Sequence, residues 1–166
     1  MDLYLVRHAI ADDRDPARWP DDSVRPLTAD GIERFRRAAR GLRTLVPTVD
    51  AVLSSGFTRA WQTAELLHEE AGWPAPSECE ALEAGRAPAD AVDVLRDRNE
   101  SSLALVGHEP HLSLLASLLL TGDEDAVQMD LKKGGTIALA VPGRIEPRGV
   151  VLVWSAAPRL LRRIAG

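Results

Sequence analysis

The sequence is poor in cysteine, in positive charge and in long hydrophobic runs. Its single cysteine, Cys79, can form no intramolecular disulfide and no four-thiolate zinc site, so we expect a protein of the reducing cytoplasm. The longest apolar run, around residues 112–120, is too short to span a bilayer. A net charge of -5 disfavours nonspecific nucleic-acid binding, because that requires a basic surface. We therefore expect no membrane and no nucleic acid among its partners.

The rest of the composition is that of an ordinary globular protein. Apolar residues make up 45% of the 166 residues and charged residues 27%, which argues against extensive disorder. A chain of this length can bury a substantial core without disulfides or metals. We expect residues 1–166 to form one domain.

Short apolar segments alternate with longer amphipathic ones, which is the pattern of an α/β fold. The apolar segments predicted as strands are 3–6, 51–55, 102–106, 136–142 and 149–155. The last two are expected to pair as a hairpin. The predicted helices are one between Thr28 and Pro47, one at 57–71, one at 88–97 and one that follows residue 110.

Weaker patterns predict three further segments. They are a polar exposed loop at 12–26, a short strand at 79–82 and a frayed basic end at 159–166. The first helix also carries a row of arginines opposite its apolar side, and we expect that face to be solvated.

Unusual side chains follow three of the predicted strands. Arg7 and His8 follow the first, Arg59 follows the second within a helix start, and His108 follows the third. In an open α/β sheet, ligands bind beyond the carboxyl ends of the strands, so these residues are expected to share one crevice. A cation at a helix start opposes the helix dipole unless it serves a bound anion. Only Glu109 supplies a carboxylate within the same motifs, so the set favours an incoming phosphoryl group.

Each residue also has a simpler interpretation. Arg7 could form a surface ion pair, and His8 and His108 could be hydrogen-bonded structural histidines. His68 and His111 are expected to be surface or packing residues. The stretch "HEPH" does not have the spacing of a helical zinc site, and we expect no metal. A serine nucleophile is disfavoured, because no G-x-S-x-G elbow is present.

Three motifs resemble the signatures of the histidine phosphatase superfamily, in the same order. They are "LVRHA" at 5–9, "SSGFTRAWQTA" at 54–64 and "VGHEP" at 106–110. Two further stretches, "RPLTADG" at 25–31 and "LKKGG" at 131–135, resemble the small SixA-type branch. The superfamily pattern has glycine after the arginine and histidine, whereas this chain has Ala9. Alanine is compatible with that position if its φ stays negative.

The resemblance implies a three-layer α/β/α fold with a mostly parallel mixed sheet, like that of phosphoglycerate mutase. It also implies that His8 is a nucleophile that forms a phosphohistidine intermediate. Arg7 and Arg59 would hold the phosphoryl oxygens, His108 would add a donor, and no metal or cofactor would be required.

The expected substrate is a phosphorylated protein or a small phosphorylated molecule. Expelling an alkoxide from a phosphate ester needs a general acid, and the candidates are Glu83, Glu109 and Asp13, with Glu83 preferred. Phosphohistidine releases a better leaving group, so it is the favoured substrate class. Arg25 is expected either at the rim of the site or in a structural ion pair. The alternatives are a small-molecule phosphomonoesterase and a noncatalytic phosphate-binding module.

Overall fold

The computed structural model describes residues 1–166, which are organised around one six-stranded sheet. Its strands are β1 (Asp2–Arg7), β2 (Ala51–Ser54), β3 (Ser77–Glu78), β4 (Ser102–Gly107), β5 (Thr136–Ala140) and β6 (Val151–Ala156). Their order across the sheet is β3-β2-β4-β1-β5-β6. Strands β1 to β4 are mutually parallel, β5 runs antiparallel to β1, and β6 runs antiparallel to β5 and therefore in the direction of β1. The predicted mixed, mostly parallel sheet is confirmed.

Helices cover both faces of this sheet. They are α1 (Ala29–Leu45), α2 (Thr58–Leu66), α3 (Pro88–Arg96), α4 (His111–Thr121) and α5 (Pro158–Ile164). A π-helical turn extends α2 over Leu67–Ala71, and 3₁₀ turns occur at Asp22–Val24 and Glu80–Leu82. The helices α1, α2 and α5 pack on one face, and α3 and α4 on the other. The result is the expected three-layer α/β/α arrangement. No helix combines the length and the apolar character needed to cross a bilayer.

The local sequence explains why the central elements form where they do. Strands covered on both faces are apolar at successive positions, and Leu5 and Val6 of β1 belong to the cores on opposite faces. Thr28 caps α1 as predicted, because its side-chain oxygen accepts a hydrogen bond from the Gly31 N–H at 2.9 Å. The solvated arginine face of α1 is largely as expected, although Arg36 and Arg40 both bind Glu70.

Two sequence predictions are wrong. The strand expected at 79–82 is instead β3 at Ser77–Glu78, and the 3₁₀ turn that follows places Leu82 in the core. The end expected to fray forms α5, whose Leu161 is fully buried against α1. Gly41 of α1 permits this approach, because a Cβ atom there would lie 1.8 Å from the Leu161 carbonyl oxygen.

Candidate active site

The two histidines predicted to meet lie side by side at the carboxyl end of the sheet. Arg7, the last residue of β1, is paired in register with Gly107, the last residue of β4, and a histidine directly follows each of them. The His8 N–H donates to the Gly107 carbonyl at 3.0 Å. The rings of His8 and His108 have centroids 5.2 Å apart. Parallel register alone therefore brings together residues that are far apart in sequence.

The two predicted arginines border the same histidines. Arg59 extends from the first turn of α2 and is only 3% exposed. Its guanidinium carbon lies 5.2 Å from the Phe57 ring centroid, and that ring lies 5.1 Å from the ring of His108. Arg7 is half-buried and donates from Nη1 to the Leu131 carbonyl at 2.8 Å. Both guanidinium charges help to lower the pKa of His8.

The tautomer of His8 is set by its own backbone. Its Nδ1 lies 2.7 Å from the Ala9 carbonyl oxygen, which can only accept, so Nδ1 carries the proton. The other ring nitrogen, Nε2, therefore carries a free lone pair. Burial, which outweighs the Ala9 hydrogen bond and is reinforced by the nearby cations, lowers the pKa of His8 to about 3. The ring is neutral at physiological pH.

His108 has a partner that the sequence analysis missed. Its Nε2 lies 2.9 Å from Ser55 Oγ, which in turn accepts from the Phe57 N–H at 3.2 Å. The Ser55 hydroxyl can therefore donate its proton to Nε2 and leave the hydrogen of His108 on Nδ1. Burial, with the neighbouring His8 and Arg59, lowers the pKa of His108 to about 2.

Three buried nitrogens of this cluster have no hydrogen-bond partner. They are Arg7 Nε, Arg59 Nε and His108 Nδ1. Buried polar groups are almost always paired, so unpaired donors from three separate segments call for an explanation. A bound anion would explain them, because both guanidinium nitrogens and the Nδ1–H assigned to His108 are hydrogen-bond donors.

Asp22 is the principal site residue that sequence reasoning did not find. Its carboxylate lies 2.9 Å from Arg59 Nη2 and 2.8 Å from Arg25 Nε, and its carbonyl accepts from Arg59 Nη1 at 2.7 Å. The Arg59 fork is thus already engaged by a loop expected to be only polar and exposed. Arg25 was expected either at the rim of the site or in a structural ion pair, and it forms the ion pair, with Asp22, beside this fork.

The Thr63 side chain links the backbone next to His8 with the backbone of Arg59 by two hydrogen bonds. Its Oγ1 accepts from the Ala9 N–H at 3.0 Å and donates to the Arg59 carbonyl at 2.7 Å. A threonine four residues after Arg59 lies on the same helical face, so this spacing was the available signal. The only non-glycine residue with positive φ is Arg148, so the Ala9 backbone keeps the negative φ that alanine requires.

The segment 131–135 closes the site on the β5 side. The Gly134 N–H lies 3.1 Å from the carbonyl oxygens of both Arg7 and His8. Gly134 has a φ of +78° and abuts the Phe35 ring, so a side chain would be strained there. The positive charge of Lys133, which directly precedes Gly134, helps to lower the pKa of His8.

The candidate acids differ in position. Glu83 follows the 3₁₀ turn at Glu80–Leu82, is partly exposed and makes no side-chain hydrogen bond. Asp13 is exposed. Glu109 Oε2 accepts from Ser113 Oγ at 2.6 Å, its Oε1 is buried without a partner, and burial raises its pKa.

The remaining histidines do not complete a metal site. His111 is 3% exposed and packs at the start of α4, whereas His68 is exposed and its Nδ1 lies 2.6 Å from the Trp73 carbonyl. No group of three or more His, Cys, Asp or Glu side chains is arranged to hold a metal ion.

Sequence comparisons place this geometry among known proteins. The family model described as histidine phosphatase superfamily (branch 1) matches residues 3–84. An uncharacterised protein of Picosynechococcus sp. is 36% identical over 143 residues, which is 84% of each chain. The phosphohistidine phosphatase SixA of Escherichia coli K12 is 29% identical over 127 residues, covering 74% of this chain and 76% of SixA.

Structure comparison gives the same fold. The structure of the protein histidine phosphatase SixA complexed with tungstate superposes with a TM-score of 0.80. The match covers 96% of this chain and 98% of that one, at 21% sequence identity. Almost the entire chain therefore shares the architecture of that protein.

Proposed function

Because this chain belongs to the histidine phosphatase superfamily, we propose that it removes the phosphoryl group from phosphohistidine in proteins, through a phosphoenzyme formed on His8. The superfamily and the fold support phosphatase activity in general. The name of the similar Escherichia coli protein, phosphohistidine phosphatase, supports the narrower substrate class. The proposal involves no metal or cofactor, because unpaired nitrogen donors of the chain itself would bind the phosphoryl oxygens.

The observation that carries the proposal is the 2.7 Å contact between His8 Nδ1 and the Ala9 carbonyl. It leaves the Nε2 lone pair free and fixes the ring orientation, which is what a nucleophilic imidazole requires. Nε2 would attack phosphorus as the bond from phosphorus to the substrate imidazole breaks. Water would then attack phosphorus on His8, releasing inorganic phosphate and regenerating the neutral ring.

The cationic and imidazole neighbours would stabilise the phosphoryl group in transit. Arg7 Nε, Arg59 Nε and His108 Nδ1 are unpaired donors, and phosphoryl oxygens are strong acceptors. Donors fixed in a buried site stabilise transition-state charge without reorganising, which is the main protein contribution to phosphoryl transfer. Ser55 and Thr63 would act as positioning residues, since they hold His108 and the Arg59 turn.

Phosphohistidine suits this site because its leaving group is an imidazole, which needs less acid assistance than an alkoxide. Glu83, the proposed acid, has no fixed hydrogen bond that aims it at a leaving group. We therefore assign Glu83 at most a supporting role, and expect Arg25 to hold Asp22 in place and not to contact phosphate.

Trapping the intermediate tests the proposal. A radiolabelled phosphohistidine peptide is mixed with the protein, the reaction is stopped with alkali within milliseconds, and the digested protein is mapped. We expect acid-labile, alkali-stable label on the peptide that contains His8. The exposed His68 provides a matched control, since His68→Asn should leave this labelling intact. Turnover without label on His8 contradicts the proposal.

A second candidate function, a small-molecule phosphomonoesterase, is favoured by one observation. Burial raises the pKa of Glu109, so this carboxyl could deliver a proton to an alkoxide. The two functions separate when phosphohistidine, sugar phosphates and aryl phosphates are compared by kcat/KM. Phosphohistidine should rank first. If a phosphate ester ranks first and Glu109→Gln selectively slows its hydrolysis, the second function is correct.

Asp22 provides a stability prediction for the same site. Asp22→Asn should lower the free energy of unfolding by about 1–3 kcal/mol in phosphate-free buffer, because it leaves the buried Arg59 charge unpaired. This loss of stability is smaller than that expected for breaking a fully buried ion pair, since the Asp22 side chain is 31% exposed. Saturating inorganic phosphate should reduce the deficit, because it supplies another anion to Arg59. Urea denaturation with and without phosphate measures both effects.

The neighbouring Asp21 gives the control for that experiment. Its side chain accepts only from the Ser23 N–H, at 2.9 Å, and asparagine caps equally well. Asp21→Asn should therefore be near neutral in both buffers. An Asp22→Asn deficit that phosphate leaves unchanged contradicts the expected contact between Arg59 and phosphate.

A further inference from the structure

A second basic feature lies next to the histidine cluster. A cavity of about 410 Å³ is lined by residues of the loop after β1, of α1, of α5 and of the segment 131–135. Five of its lining residues are cationic, and they are Arg7, Arg34, Lys132, Lys133 and Arg162. No acidic residue lines it. Its volume lies within the range of sites that hold small ligands or parts of larger ones.

The positive charge of this cavity is only partly neutralised. Arg34 forms an ion pair with Asp30, and Lys132 with Asp130, in both cases on exposed surface. Lys133 and Arg162 form no ion pair and no side-chain hydrogen bond, while the one side-chain hydrogen bond of Arg7 is to the Leu131 carbonyl. The chain as a whole has a net charge of -5, so this excess of cations is local. A concave surface of one charge sign concentrates ligands of the opposite sign.

The cavity adjoins the expected phosphoryl site. Arg7 belongs to both, and Ala9, which lines the cavity, directly follows His8. Gly134, whose N–H contacts the His8 carbonyl, also lines the cavity. Phe35 and Pro158 add an apolar wall against which the carbon skeleton of a substrate can pack. A substrate with its phosphoryl group at His8 can therefore extend into this space.

We propose that this cavity binds a second anionic group of the substrate, a carboxylate or a phosphate, carried close to the phosphoryl group that His8 receives. The inference rests on the proposed function, because it assigns both sites to one substrate molecule. In a protein substrate the anion would be an acidic side chain beside the phosphohistidine. In a small substrate it would be a carboxylate or a further phosphate.

Paired substrates test the proposal. Two phosphohistidine peptides of equal length carry either acidic residues or their amides beside the phosphohistidine. A small pair consists of Nα-acetyl-phosphohistidine, which has a free carboxylate, and its primary amide, which has none. We expect kcat/KM to be about three- to tenfold higher for the anionic member of at least one pair, mainly through KM. A preference confined to the peptides identifies a protein source, and one confined to the small pair identifies a small molecule.

Variants locate that preference in the cavity. Within each pair, Arg162→Gln and Arg34→Gln should each reduce the ratio of kcat/KM between the member that carries the additional carboxylate and the member that lacks it. Arg163 adjoins Arg162 in α5, and Arg37 lies one turn after Arg34 in α1, and both are exposed outside the cavity. Arg163→Gln and Arg37→Gln should leave the ratio unchanged. No preference in either pair, or one that survives both cavity variants, overturns the proposal.

A binding measurement separates this inference from the proposed function. The unphosphorylated acidic peptide, fluorescently labelled, is titrated at low ionic strength, where charge contacts are least screened. Binding that Arg162→Gln weakens and Arg163→Gln does not supports the cavity, even if no phosphohistidine is hydrolysed. In that case the proposed function fails while the anion site stands. If phosphohistidine is hydrolysed with no preference for the additional carboxylate, the proposed function stands and the anion site fails.

Discussion

Replacing His8 with asparagine should lower kcat for the phosphohistidine substrate by at least about 10⁴-fold, because no covalent intermediate can form. The residual rate would come from the donors that remain around the phosphoryl group. Asparagine retains a polar side chain of moderate size at a position where the histidine is only 6% exposed. Steady-state turnover of the phosphohistidine peptide measures the loss. A loss smaller than about tenfold contradicts the nucleophilic role of His8.

The same variant should still bind inorganic phosphate, since Arg7 and Arg59 contribute the charge. Phosphate binding to His8→Asn, measured by calorimetry, therefore distinguishes a lost nucleophile from a collapsed site. His68→Asn is the matched control, because that histidine is exposed and does not belong to the cluster. Its kcat should match that of the unmodified protein. If His8→Asn neither turns over nor binds phosphate, its fold is checked by urea denaturation before the rate is interpreted.

The meeting of His8 and His108 could be predicted from sequence for a simple reason. Each histidine follows a continuous apolar run, such runs form buried parallel strands, and parallel strands end at one edge of the sheet. The structure adds the register, in which Arg7 is opposite Gly107. Periodicity likewise predicted α1, its cap at Thr28 and the antiparallel pairing of the two closing strands.

The hydrogen-bond partners could not be predicted, because they come from distant parts of the chain. Asp22 and Arg59 are 37 residues apart, His108 and Ser55 are 53 apart, and Thr63 and Ala9 are 54 apart. No local pattern selects Asp22 among the many acidic residues of the 12–26 loop. These contacts depend on how the helices dock, and docking depends on packing details that periodicity does not contain.

For the C-terminal helix α5, the local charge pattern led to a wrong prediction. Its arginines made the segment 159–166 resemble a frayed basic end, although the helix packs along α1 and buries Leu161 fully. The feature that permits this contact is Gly41, which is more than a hundred residues earlier in the chain. A glycine inside a helical pattern indicates close approach of another segment, but it does not say which one. The charge pattern was therefore outweighed by the packing of α5 on α1.

Acid should destabilise this protein steeply, and the two clustered histidines should cause much of the loss. Burial lowers the pKa of His8 to about 3 and that of His108 to about 2, whereas the ordinary value in the unfolded chain is 6.5. Below pH 6.5 the unfolded chain therefore binds protons that the folded protein does not. Stability is fully present above that pH and falls as the pH decreases toward the folded values.

The expected loss between pH 7 and pH 5 is about 2 kcal/mol for each histidine, or about 4 kcal/mol for both. Urea denaturation at the two pH values measures it. The double variant His8→Asn/His108→Asn should lose about 4 kcal/mol less than the unmodified protein over the same interval, and His68→Asn should retain the original loss. Equal losses in the double variant and the unmodified protein contradict buried neutral imidazoles at these positions.

Inorganic phosphate should weaken this acid sensitivity, because an anion beside His8 and His108 offsets the cost of charging a buried imidazole. The loss between pH 7 and pH 5 should therefore be smaller in saturating phosphate than in its absence, and the double variant should show a smaller difference between the two buffers. In the proposed mechanism, acid sensitivity and the nucleophilicity of His8 have one physical origin. Burial keeps the His8 ring neutral, which leaves the Nε2 lone pair available for phosphorus and makes protonation costly to the fold.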